Sequence, residues 1–374
     1  MRSSVRLAVR MVLGMCLLAV WPALVLAQSG TAPTRTAKPS TDAEDAVIQA
    51  GVALHDQGKF DEAIAKYEEV LRQSPDNLTA LYELAYTLHE KPDLTRSIEV
   101  ATRGSTYQSD MLPMFYDLVA SSLDTMGKPE DAIAMYKKGI ALAPDATTLY
   151  FNMAVTYLES LKDPTEARRW LKQAAILDPL EPEIQLMLGQ VYQNAGYPTP
   201  ALFAFAKYLI LEPTGSRALT AYGYWRQILR GGTTGAPSAA AQPMRDAATP
   251  QAPRPGAKID EGDFADFEAE ILRSQQKLIA DMDGGAQEMP TFLAQLTHLL
   301  DVLAARPAAR DQDTFIGKYY LPYFRELDQK HFVEVYAYWS MQRAPVPGVR
   351  EWLTANQARV REFLDWTGKY EWAK

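Results

Sequence analysis

The chain repeats itself. Laid over itself with position 58 on position 127, GKFDEAIAKYEEVLRQSPD at 58–76 falls on GKPEDAIAMYKKGIALAPD at 127–145. Gly58/Gly127, Lys59/Lys128, Ala63/Ala132, Ile64/Ile133, Ala65/Ala134, Tyr67/Tyr136, Pro75/Pro144 and Asp76/Asp145 coincide. Gly196 lies the same interval beyond Gly127, and Pro144, Pro179 and Pro213 recur at half that interval. The unit is therefore about 34 residues long, the period of stacked helix–turn–helix repeats. A lone hairpin cannot bury both its faces. The pattern therefore predicts an all-α solenoid whose last unit is covered by a terminal helix; SRALTAYGYWRQILR at 216–230 suits that role.

Five units follow: 44–77, 78–112, 113–146, 147–181 and 182–215. Unit one offers Val47, Ala50, Gly51 and Leu54 on its first helix and Ala63, Tyr67, Val70 and Pro75 on its second; unit three offers Tyr116, Val119, Ala120, Leu123, Ala132, Tyr136, Gly139 and Pro144. The first-helix residues share one helical face. The turn glycine suits a left-handed helix end, and the proline stops the second helix. Unit four fits with one extra residue in its turn. Unit two is degenerate in its second helix, and unit five carries Gln185 where an apolar residue belongs. This pattern resembles the tetratricopeptide repeat (TPR) family over 44–230.

The resemblance implies a concave groove lined by repeat positions 2, 5, 9, 12 and 13. Here these supply Ile48, Val52, His55, Tyr82, Tyr86, His89, Phe151, Val155, Leu158 and Leu186, edged by Asp45, Asp56, Glu90, Asp117, Asp124, Glu159 and Glu183. Some family members clamp a terminal carboxylate with Lys and Asn. Asn152 is present, but no Lys or Arg stands at the inner positions. The expected ligand is therefore an apolar or basic protein segment. The chain's own C-terminal domain, swung in on a linker, is one such candidate.

The N-terminus reads as a secretion signal over 1–27: Arg2, Arg6 and Arg10, then an uncharged run from Met11 to Ala27 ending in Val25-Leu26-Ala27, with cleavage expected before Gln28. That run sits at the short limit for a membrane anchor. Cleavage removes the sole cysteine, Cys16, and three arginines, taking the net charge from −8 to −11. A thiol-free exported protein in the periplasm or cell envelope is the expectation. The acidity argues against nucleic acid, whose phosphates need Lys and Arg. Residues 28–43 read as a flexible leader.

Residues 231–258 (GGTTGAPSAAAQPMRDAATPQAPRPGAK) read as a disordered linker. Helical periodicity returns over 259–374, predicting a separate helical domain of no recognised family. Its helices are expected around Phe264–Leu278, Phe292–Leu303, Phe315–Phe324, Phe332–Met341 and one long stretch from Val349 to Leu364. The aromatic cluster Tyr319, Tyr320, Tyr323, Tyr336, Tyr338 and Trp339 reads first as a tyrosine-rich core, and second as a binding surface for carbohydrate or peptide.

Chemistry is sparse. His55 and His89 stand one repeat apart at equivalent positions, and His331 and Glu334 form an HxxE spacing. Neither set completes a metal site, no catalytic arrangement can be assigned, and no cofactor is implied. The reading is a non-enzymatic scaffold for protein–protein interaction in the periplasm or envelope. Two alternatives stand beside it: an enzyme built on His298 or His331 or a carbohydrate-binding activity in the C-terminal domain, and a structural subunit of an envelope assembly.

Overall fold

A computed structural model describes residues 32–229, 262–271, 273 and 288–373. The expected secretion signal over 1–27 and the expected linker over 231–258 lie outside them. Every regular element described is helical. Five antiparallel pairs succeed one another: α1 (Asp42–Asp56) with α2 (Phe60–Gln73), α3 (Leu78–Glu90) with α4 (Leu94–Gly104), α5 (Leu112–Thr125) with α6 (Pro129–Leu142), α7 (Thr147–Glu159) with α8 (Pro164–Leu177), and α9 (Pro182–Asn194) with α10 (Pro198–Leu211). Helix α11 (Ala218–Leu229) packs on α10 as the expected cap.

The repeat residues explain the stacking. A Cβ on Gly51 would stand 2.5 Å from the Tyr67 ring, and one on Gly189 would stand 2.6 Å from the Phe205 ring. The missing side chain is what lets each helix pair close over its aromatic. The turn glycines Gly58, Gly127 and Gly196 have φ of 72°, 74° and 77°, the left-handed conformation glycine adopts without strain. The degenerate second helix of unit two is explained by Ser97. It is fully buried where the other units carry alanine, and its hydroxyl donates to the Ala85 carbonyl at 2.8 Å.

The N-terminal stretch departs from the flexible leader expected over 28–43. Residues 32–41 lie extended across the loops between units. Gln108 donates its backbone N–H to the Arg35 carbonyl at 2.7 Å, and the Arg35 guanidinium sits 4.4 Å from the Tyr107 ring centre. Asn77 donates to Ser40, and Thr41 with Glu44 forms a capping box that starts α1. The composition does not reveal this, because the contacts are scattered polar hydrogen bonds and one stacked arginine rather than an apolar run.

The C-terminal region is helical, as its periodicity predicts: α12 (265–271), α13 (Glu288–Ala305), α14 (Phe315–Tyr319), α15 (Leu321–Gln329), α16 (Val333–Ser340), α17 (Val349–Ala355) and α18 (Gln357–Lys369). Two of the expected helices are divided, the Phe315–Phe324 stretch at Tyr320 and the last at Asn356. Pro322 sits in the first turn of α15, where its missing N–H costs no helical bond.

This region shares one continuous core with units four and five. Phe203 of α10 packs on Phe267, Tyr320 and Phe324; Trp225 of α11 packs on Phe292 and Tyr336. The Tyr319 hydroxyl donates to the Ala175 carbonyl at 2.7 Å and accepts from Lys207 at 2.6 Å. Gln185 breaks the repeat pattern because its amide serves this seam, accepting from Tyr320 at 2.7 Å and donating to Tyr319 at 3.3 Å. Lys207 is fully buried between the Tyr319 and Trp372 rings, and burial holds its ammonium well below its ordinary pKa.

Cutting the chain between 231 and 258 by limited proteolysis should therefore leave two fragments that co-elute on size exclusion and separate only in denaturant. Separate elution as two folded monomers would show that the shared core contributes little.

Candidate functional site

The first helices α1, α3, α5 and α7 lie side by side, and the seam between them decides which inner residues remain accessible. Position 5 of units two and three points along this seam toward the next first helix. Tyr82 packs edge-on against Phe115 at 6.1 Å, and the Asp117 carboxylate accepts from the Asn152 amide at 2.7 Å. Compact side chains at this position are swallowed. Ile48 and Leu186 are only 1% exposed, which corrects their reading as groove-lining residues: neither reaches past the seam. Tyr82 and Phe151 are larger and stay half-buried, and Val52, Val155 and Leu158 are likewise half-buried. Tyr86 is the most open, at 38%.

The histidines acquire a structural task. His55 Nδ1 lies 2.9 Å from the Thr87 hydroxyl, and His89 Nδ1 lies 2.9 Å from the Ser122 hydroxyl. In the next unit the Thr156 hydroxyl donates to Asp124 at 2.8 Å. A side chain at position 12 thus meets a buried hydroxyl at position 10 of the following unit, three times in register. The two histidines are equivalent in sequence, but the one-repeat offset sets each against the next unit's hydroxyl rather than against the other histidine. Burial lowers the His89 pKa. Among the described residues no three His, Cys, Asp or Glu side chains gather to hold a metal. His331 takes a left-handed φ of 58° just after α15, where its N–H closes the helix end on Asp328.

The open stretch has a distinct chemistry. His55 stacks on Tyr86 at 5.2 Å, Tyr86 on Tyr82 at 6.2 Å, and Phe60 closes on His55 at 5.2 Å. Carboxylates surround these rings. Burial first, then Asp117, Glu83 and Tyr86, pushes the Tyr82 phenol up to about 12. Burial, then Glu90, Glu83 and Asp56, raises that of Tyr86. Burial raises Glu83 itself, and lifts Asp117 to about 6 against the opposing Asn152 hydrogen bond. The ion pairs of the neighbouring surface, Lys91–Asp61, Arg96–Glu68 and Lys66–Glu69, engage other acids. A separate cleft of about 660 Å³ lies under the extended N-terminal stretch, among Pro33, Thr36, Lys38, Asn77 and Gln108, away from these rings.

The second surface considered over the C-terminal aromatics is not a surface. Tyr319, Tyr320, Tyr323 and Tyr336 are at most 2% exposed and form the joint with the repeats, so the tyrosine-rich core is the reading that stands. Tyr338 is half-buried against Trp352 at 4.1 Å, and Trp339 donates to the Ile210 carbonyl at 2.9 Å. Among the described residues, the contacts of the C-terminal region fall on residues such as Ala175, Gln185, Phe203, Lys207, Ile210 and Trp225, not on Tyr82, Tyr86 or His55. This corrects the reading in which the chain's own C-terminal domain fills the groove.

Comparisons with known proteins agree with the repeat reading. A family model described as TPR repeat matches residues 51–91, and one described as tetratricopeptide repeat matches 125–191. Human tetratricopeptide repeat protein 13 is 26% identical over 189 residues, 49% of this chain and 21% of that protein. The chain therefore spans about a fifth of the length of that curated relative. Among solved structures, MamA is 22% identical, covering 43% of this chain and 94% of its own, with a TM-score of 0.37. TTC0263, a thermophilic TPR protein of Thermus thermophilus, is 23% identical, covering 49% and 97%, with a TM-score of 0.40. PilW, a type IV pilus biogenesis factor, is 18% identical, covering 50% and 93%, with a TM-score of 0.39.

Proposed function

We propose that this tetratricopeptide repeat protein is an exported, non-enzymatic scaffold of the periplasm or cell envelope that holds an apolar or basic segment of a partner protein on the inner face of units one to four. One observation carries the reading. Tyr86, Tyr82, Val52, Phe151, Val155 and Leu158 remain partly or well exposed on an otherwise stably packed stack. Apolar surface left open on a rigid element is characteristic of a contact face. The cores themselves are filled by Tyr67, Leu81, Leu84, Val119, Tyr136, Met153 and their neighbours; Val52, Tyr82, Phe151 and Leu158 pack on the edges of those cores and keep part of their surface open, and Tyr86 and Val155 lie outside them.

Export rests on the Arg-rich start, the uncharged run and the Val-Leu-Ala site. No described helix is long and apolar enough to cross a membrane. Sequencing the N-terminus of the protein purified from its own cells should return Gln28; an intact Met1 on cytosolic protein contradicts export.

Tyr86→Ala combined with Phe151→Ala should leave the far-ultraviolet dichroism unchanged and the melting temperature within a few degrees. Capture of the native partner should weaken at least tenfold, since a central tyrosine contributes about 2 kcal/mol or more to an interface. A variant that fails to fold would make these residues core. A variant that folds and binds as before would move the contact face elsewhere.

A further inference from the structure

The open stretch of units one to three combines two features that a merely apolar groove does not need. Its rings form a continuous row, Phe60, His55, Tyr86 and Tyr82, ending on Phe115. Its acids, Asp56, Glu83, Glu90 and Asp117, come close enough to raise the phenol pKa values of Tyr82 and Tyr86. The inner positions of all five units carry no Lys or Arg. Aromatic faces attract cations, best when partly desolvated. A guanidinium both stacks on such rings and forks onto carboxylates.

Asp117 is the pivotal acid. It is held in the seam between α3, α5 and α7 with the Asn152 amide as its donor. The ionisable groups facing it are Tyr82 from α3 and Tyr136 from α6. Asp124, one of whose carboxylate oxygens is buried without a hydrogen-bond partner, lies two turns along α5. A carboxylate kept in so poorly solvated a place costs the fold stability once it ionises. A cationic ligand would offset that cost.

We infer that the ring row and acids of units one to three form a subsite for an arginine or lysine side chain of the partner segment, its charge on Tyr82 and Tyr86 and directed at Asp117 and Glu83. This deepens the groove reading and rests on it. The occupant is a basic segment with apolar residues flanking its cation. Phe151, Val155 and Leu158 of unit four receive the apolar part, and the acids supply the charge complementarity that steers the encounter.

Two consequences differ in sign. Burial lifts the Asp117 carboxyl to about 6, above its unfolded value. The wild type therefore loses stability, relative to an Asp117→Asn variant, as pH rises from about 4 to about 6. The variant should melt no lower than wild type at pH 7.5. Binding of a cation requires the ionised form, so affinity for a basic segment should fall as pH drops from 7.5 to 5 in the wild type and fall less in the variant.

The test uses mature protein, 28–374, and three capped fluorescent peptides of one leucine-rich sequence. They carry two arginines, two citrullines or two glutamates. By anisotropy at pH 7.5 the arginine peptide should bind at least tenfold tighter than either of the others. Asp117→Asn and Glu83→Gln should each cut that preference at least threefold while the melting temperature holds or rises. Should Asp117→Asn fail to fold, Glu83→Gln carries the comparison. If arginine and citrulline peptides bind equally and Tyr86→Ala with Phe151→Ala weakens both, the groove stands and the cation subsite is wrong. If no peptide binds, or binding ignores all these substitutions, the subsite is overturned and the groove reading loses its support as well.

Discussion

The fold depends on how closely two helices can approach when one of them lacks a side chain. Gly104 against Phe115, Gly51 against Tyr67 and Gly189 against Phe205 leave no room for a Cβ. Elsewhere alanine or serine does the same work, as at Ala85 and Ser97. Small residues at these facing positions set the spacing within the hairpins. The spacing sets the register between hairpins, and the register aligns each position-12 side chain with the next unit's hydroxyl at Thr87, Ser122 and Thr156. A contact internal to one hairpin thus reaches the inner face of the whole stack.

The two ends of the solenoid are treated differently. The N-terminal strap binds loops through backbone groups and Arg35, and leaves the inner face alone. The C-terminal helices join units four and five through Gln185, Phe203, Lys207 and Trp225. Burial of Lys207 between two rings and a phenol hydroxyl makes that joint specific as well as apolar. Neither contact occupies the row from His55 to Tyr82, so the stretch with the strongest cation-attracting chemistry is one that the described residues leave uncovered.

Much of this was legible beforehand because repetition magnifies weak local signals. The match of 58–76 to 127–145 yielded the hairpins, the turn glycines and the cap. Burial at position 5 was not legible: whether Ile48 or Tyr82 emerges from the seam depends on side-chain reach, which a position number ignores. Gln185 was visible as a departure, but its reason lay far along the chain, in Tyr319 and Tyr320. The aromatic cluster at 319–339 read ambiguously because tyrosine suits both core and surface; its burial against α10 decided the matter. The two histidines looked like a pair because sequence offset shows equivalence, not contact.

The central claim is that the inner face of the stack is where a partner binds. A photo-crosslinking amino acid placed at position 86, in cells that produce the protein at its native level, tests it most directly. Ala141, exposed on α6, serves as the outer-face comparison. The account predicts one dominant crosslinked protein from position 86, attached through a segment containing a basic residue, and none from position 141. A partner crosslinked from 141 and not from 86 would contradict it.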